Sequence, residues 1–120
     1  FDLSEQLIAA PDMIASELAL ICKAASSING ASLDKKVVAL VKGIDPSDAH
    51  QKIAQSLIDA ETACVLLGSQ AVLFSNYSTT YALSVSLAKA TGSKLAIVAE
   101  DSNTTGAWLA GCIPHRIEAG

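Results

Sequence analysis

The sequence predicts an α/β fold with few parallel strands and abundant helix. Two short apolar runs, "ACVLLG" over 63–68 and "KLAIVA" over 94–99, read as strands buried on both faces, the pattern of a parallel sheet. Elsewhere apolar residues recur at helical spacing. Hydrophobic residues make up 51% of the chain, much of it alanine, and aromatics only 4%, which suits closely packed helices.

Ile14, Leu18, Ile21, Ala25 and Ile28 form a helical stripe. Pro11 suits its first turn, Asp12 favours its N-terminal dipole, and Asn29-Gly30 supplies the stop. Leu33, Val37, Leu40 and Val41 also fit a helix, ended at Gly43, although "VVALV" could be a short buried strand. Asp45-Pro46-Ser47-Asp48 reads as an N-cap, a proline at the first position and an acid in the first turn. That helix is expected to reach about Glu61, with Ala49, Ile53, Leu57 and Ala60 facing inward.

The first strand follows over 63–68, then a loop over 69–76. Ser75 or Asn76 can cap the next helix, which runs to about Ala90 with Tyr81, Leu83, Val85, Leu87 and Ala88 as packing positions and stops at Thr91-Gly92. The second strand occupies 94–99, and a brief helix is expected over 107–110, stopped by Gly111 and Pro114. Strand, helix, strand over this length is a right-handed, Rossmann-like βαβ crossover. Two strands alone do not make a stable sheet, so either residues 37–41 form another or further strands lie outside this chain.

At 120 residues the chain is one domain, or a piece of one. It starts at Phe1 and stops at "RIEAG", which reads as a single α/β segment of a longer chain. Net charge is -4 with no basic cluster, which argues against a nucleic-acid partner. No apolar run nears the ~20 residues of a membrane span, so no direct membrane insertion is expected. The acidic start, with Asp2 and Glu5, is unlike a signal peptide. Asn76-Tyr77-Ser78 and Asn103-Thr104-Thr105 match the glycosylation sequon but lack that secretory context. Cys22, Cys64 and Cys112 show no CxxC spacing and are odd in number, so they read as small buried hydrophobes rather than disulfide or metal ligands.

Ligands of open parallel sheets bind beyond the carboxyl ends of the strands. Two loops leave such ends here: Gly68, Ser69 and Gln70 after the first strand, and Glu100, Asp101, Ser102 and Asn103 after the second, with Gly106 close behind. They offer hydroxyls, amides and close backbone approach to a small polar ligand such as a nucleotide. Against this, there is no GxGxxG and no GxxxxGK[ST], and no basic residue sits near either loop. The plainer reading is that Ser102, Asn103 or Thr104 caps the short helix while Gly106 permits a tight backbone. His50 is expected on a helix surface, His115 follows Pro114, and Trp108 is expected in the core. No catalytic constellation emerges.

The last loop adds something that composition does not. "EDSNTTGAWLAGCIPHR" resembles the segment "EGANSxGAWLAGxxPHR" of the large iron–sulfur subunit of bacterial NADH-quinone oxidoreductase, respiratory complex I. The preceding "VLLGSQAVLFSNYSTTYALSVSLAKATGSKLAIVAE" looks like a strand ended by glycine, a helix and a second strand of that same protein. The resemblance covers 63–116; before that only helical texture supports it. It implies the molybdopterin-oxidoreductase-like region, whose true members bind dinucleotide arms of the molybdenum cofactor on Rossmann-like domains. In complex I the region is taken to have lost that cofactor, so Gly68, Ser69, Gln70, Ser102, Asn103 and Gly106 would line a vestigial crevice. Asp101-Ser102 stands where a Gly-Ala pair is usual, so the loop backbone can differ locally.

The iron–sulfur cysteines of that large subunit lie in its N-terminal part, and nothing here matches their spacing. The implied role is therefore architectural, with no cofactor in this segment and iron–sulfur clusters elsewhere in the parent chain. Implied partners are the rest of that chain and other peripheral-arm subunits, at the cytoplasmic face of the inner membrane. Two alternatives are a cofactor-binding domain of a functional molybdopterin oxidoreductase and the central domain of a thiamine-diphosphate enzyme, which shows a similar "vvlGxga…a…la…tg.pv" rhythm.

Overall fold

The computed structural model describes residues 3–99 and 103–112. It is a helix-rich α/β arrangement around one two-stranded parallel sheet. The order is α1 (Ile14–Asn29), α2 (Lys35–Leu40), α3 (Asp48–Asp59), β1 (Cys64–Leu67), a 3-10 turn (Ser69–Leu73), α4 (Tyr77–Thr91), β2 (Lys94–Ile97) and α5 (Thr104–Leu109). Residues 35–40 are helix, so the strand alternative for "VVALV" falls. Among the described residues no helix is long and apolar enough to cross a membrane.

Helix α1 is the hub, packed against α2, α3 and α4. Its buried residues include Ala15, Ala19, Ala24 and Ala25, whose small side chains let neighbouring helices approach closely. Of the predicted stripe only Ala25 is buried; Ile14, Leu18 and Ile21 are half-buried and Ile28 is exposed, because partners on more than one side bury Ala15, Ala19, Leu20, Cys22 and Ala24 instead. Gly30 closes the helix in the left-handed region (φ 70°), its N–H bonded to Ser26 O at 2.9 Å. Asn29 then ties two helix ends together. Its amide donates to Ala90 O of α4 at 2.6 Å, while its side-chain carbonyl accepts from Ala31 N–H at 2.9 Å.

Helix α3 begins two residues later than its sequence suggests. Ser47 is the cap, Pro46 lies just outside, and Asp45 instead pairs with Lys23 at 3.0 Å on the surface. The inward face is also rotated: His50 and Ala54 are buried, Leu57 and Ile58 half-buried, and Ala60 exposed. The reason is electrostatic, because a partner on α1 satisfies the imidazole and lets it go inside.

Strand β1 runs parallel to β2, with Cys64 opposite Lys94 and Leu67 opposite Ile97, and α4 forms the crossover. The expectation of strands covered on both faces fails. Val65 and Leu67 turn toward the core, but Leu66 is 65% exposed and Ile97 is also exposed. On α4 the buried set is Thr80, Leu83, Ser84, Leu87 and Ala88, with Tyr81 outside. The 3-10 turn occupies part of the predicted loop.

Candidate functional site

The parallel register puts the carboxyl ends of β1 and β2 side by side. Val98 N–H donates to Leu67 O at 2.9 Å, so the loops after both strands leave from one edge. Gly68 follows Leu67 directly and caps the 3-10 turn, its carbonyl accepting from Ala71 N–H at 3.1 Å. Its φ of -69° is ordinary, and a Cβ there would meet nothing within 4 Å. Nothing in the fold itself therefore demands glycine. Ser69 is half-buried and Gln70 exposed.

Asn103 and Gly106 lie at the start of α5. Asn103 occupies the N-cap position, but its side chain makes no capping bond; its backbone carbonyl accepts from Ala107 N–H at 2.9 Å. The Asn103 carboxamide lies against Gly106, where an added Cβ would collide with it. A side chain at this position would therefore have to turn the flexible Asn103 carboxamide aside. Helix α5 starts at Thr104, earlier than predicted, and Gly111 ends it at φ 74°. Ser102, with Glu100 and Asp101, lies outside the described residues, as do Pro114 and His115. The three clefts found beside α2 and around α1 and α4 are lined by none of Gly68, Ser69, Gln70, Asn103 or Gly106.

Three other expectations need correction. Cys22 is buried as predicted, but Cys64 and Cys112 are exposed. Cys64 opens β1 on its uncovered face, and Cys112 follows α5, which buries no residue. Burial pushes the Cys22 thiol up to about 12, partly offset by hydrogen bonding, and its Sγ–H donates to Leu83 O at 3.6 Å. Trp108 is 46% exposed rather than core, because α5 is short and lies on the surface.

The cluster that sequence reasoning missed is Ser47, His50 and Glu17. His50 is only 5% exposed. Ser47 N–H donates to His50 Nδ1 at 3.0 Å, and since a backbone N–H can only donate, Nδ1 is the acceptor. The proton of the neutral ring then sits on Nε2, 2.8 Å from Glu17 Oε2. Ser47 Oγ lies 2.6 Å from Nδ1. Hydroxyl, imidazole and carboxylate in line resemble a nucleophile with its base and orienting acid. Here, however, the hydroxyl also accepts from the His50 backbone N–H in a capping box, and neither Ser47 nor His50 lines any of the three clefts. The trio therefore works as a cap for α3 and a bolt to α1. Its sequence signal was serine followed three residues later by histidine, a capping box with imidazole in place of Glu or Gln.

Among the described residues no group of three or more His, Cys, Asp or Glu side chains could hold a metal ion. Compared with protein-family models, with curated proteins and with solved structures, the chain finds no match in any of the three.

Proposed function

We propose that this chain is a structural, non-catalytic segment of the large iron–sulfur subunit of NADH-quinone oxidoreductase, from its molybdopterin-oxidoreductase-like region. Two things support the reading. The motif "GAWLAG" with its flanking strand–helix–strand resembles that subunit over 63–116. The β1–α4–β2 unit also delivers both strand ends to one edge, where a Rossmann-like relative would hold a dinucleotide. The observation that carries the architectural role is the uncovered sheet. A two-stranded parallel ladder with Leu66 and Ile97 exposed is a fragment that further polypeptide completes.

In this reading the parent complex passes electrons from NADH through iron–sulfur clusters to quinone. The segment helps build the peripheral arm at the cytoplasmic face of the inner membrane. Its neighbours are the rest of the parent chain and other arm subunits. The strand-end crevice at Gly68, Ser69, Gln70, Ser102, Asn103 and Gly106 is a vestige. Its loops, over 68–76 and 98–112, carry no Lys or Arg to meet a phosphate, while Glu100 and Asp101 would repel one.

Metal analysis of the purified parent tests this. Iron and acid-labile sulfide without molybdenum or tungsten supports the reading, whereas stoichiometric molybdenum or tungsten favours a working molybdopterin enzyme. A thiamine-binding GDG motif in the flanking sequence would point instead to a thiamine-diphosphate enzyme. Titration of the chain with guanine nucleotides tests the vestige, and saturable micromolar binding would contradict it.

A further inference from the structure

The free edge of β1 borders a cleft of about 440 Å3, lined by residues 7–9 and 65–67 together with side chains of α1 and α4. No residue of β2 lines it. Val65, Leu66 and Leu67 line it in succession although alternate side chains leave on opposite faces, so the cleft meets the strand's backbone as well as its core-facing side chains. In the ladder, Lys94 N–H donates to Ala63 O and Val98 N–H to Leu67 O, so the odd-numbered β1 residues turn their backbone groups toward β2. The N–H and C=O of Cys64 and Leu66 therefore point the other way, and no described residue bonds to them.

The cleft is mostly apolar, with Leu18 and Ile21 of α1 among its lining, and among the described residues Glu17 is the charged group that lines it. Glu17 Oε2 accepts from His50 Nε2–H, and the Glu17 side chain remains partly exposed. Thr80 brings a hydroxyl-bearing side chain from α4, on a residue only 3% exposed. The N-terminal segment that supplies residues 7–9 is held to α3 by Glu5 and Lys52, 3.7 Å apart.

We propose that this cleft receives an extended strand of a partner polypeptide, which pairs with the free edge of β1 through Leu66. The unpaired backbone groups set the class of ligand, since an extended peptide returns both a donor and an acceptor to the edge. The lining sets its side chains. Alternate residues of the incoming strand face α1 and α4 and must be apolar, and one of them is Arg or Lys to meet the Glu17 carboxylate. The proposal stands on the cleft, independently of the complex I reading, so the metal content of a parent chain does not bear on it.

The test uses the heptapeptide acetyl-Ser-Val-Thr-Arg-Ser-Val-Thr-amide and its counterpart with Glu in place of Arg, titrated into the 15N-labelled chain. The Arg peptide is expected to bind saturably below millimolar concentration, to shift the Cys64 and Leu66 amide resonances, and to slow their hydrogen exchange. The Glu peptide should bind roughly tenfold more weakly. Glu17→Gln, which keeps an acceptor for His50, should remove most of that difference. Leu66→Pro deletes an N–H that the β1–β2 ladder does not use, so it should abolish binding while the circular dichroism spectrum stays unchanged. The proposal is overturned if the Leu66 amide is already protected in the free chain. Equal binding of the two peptides, or no shift at millimolar Arg peptide, overturns it as well.

Discussion

His50 Nε2 and Glu17 Oε2 stand 2.8 Å apart across the α1–α3 interface, joining residues 33 positions apart in sequence. The other ring nitrogen of His50 is committed to the cap of its own helix. One side chain thus starts α3 and docks it, and the two duties can be separated by substitution.

His50→Ala removes both and leaves the Glu17 carboxylate without its partner, so a loss of about 2–3 kcal/mol is expected. His50→Gln restores the usual capping-box residue while giving up most of the link to Glu17, so the loss should be about half as large. Ser47→Ala should cost about 1 kcal/mol through the cap alone. Urea unfolding of the three variants checks the order, and equal losses for the Ala and Gln variants would show that the cap contributes nothing.

Cys22 predicts an alkaline limit to stability. Its thiol is fully buried and raised from 9.0 to about 12 by that burial. Below about pH 9 both folded and unfolded states keep the proton, and the stability is complete. Above it the unfolded thiol ionises while the folded one does not, so stability falls as pH rises toward about 12, by up to about 1.4 kcal/mol per unit. Chemical denaturation of the chain and of Cys22→Ala across this window should give curves that diverge, with the variant flatter.

Thiol accessibility gives a third expectation. Cys64 and Cys112 are exposed and should react with a disulfide reagent within the mixing phase at neutral pH. Cys22 should react only as fast as the chain opens, so two thiols titrate under native conditions and a third appears with denaturant. Three fast thiols would contradict the packing of α1 against α4.

The glycines of the crevice should differ in tolerance. Gly68→Ala meets open space at an ordinary φ and should change stability by less than about 0.5 kcal/mol. Gly106→Ala forces the Asn103 carboxamide aside, which offsets the helix propensity gained. With Asn103→Ala added, that gain of up to about 1 kcal/mol should emerge. A thermal-melt double-mutant cycle measures the coupling, and additive effects would refute the contact.

Much of the fold was legible because its signals are local. Helical spacing located α1, α2 and α4, glycines at 30, 43, 92 and 111 marked turns with positive φ, and the two apolar runs became β1 and β2. What was not legible depended on partners distant in sequence. The face of α3 follows from Glu17 on another helix, a pairing that periodicity within α3 does not contain. The strands looked doubly buried because "CVLL" and "KLAI" are apolar on both sides, yet only one side of β1 meets the core. For the crevice, sequence placed Gly68 at a strand end correctly. It could not show that the Asn103 carboxamide lies against Gly106, since that requires the side chain's path.

The bond from Asn29 to Ala90 and the contact from Cys22 to Leu83 each span 61 positions, whereas β1 and β2 register 30 positions apart. Chain closure costs more as the loop lengthens, so the order of events in folding follows from these separations. The strand–helix–strand half can assemble by itself early, while the central helix must search the longer distance before its alanines find a surface. Refolding should then be slower than helix content suggests, and for a given loss of stability truncating Leu95, in the half that assembles first, should retard the forward rate more than truncating Leu83, whose contact with the central helix forms late.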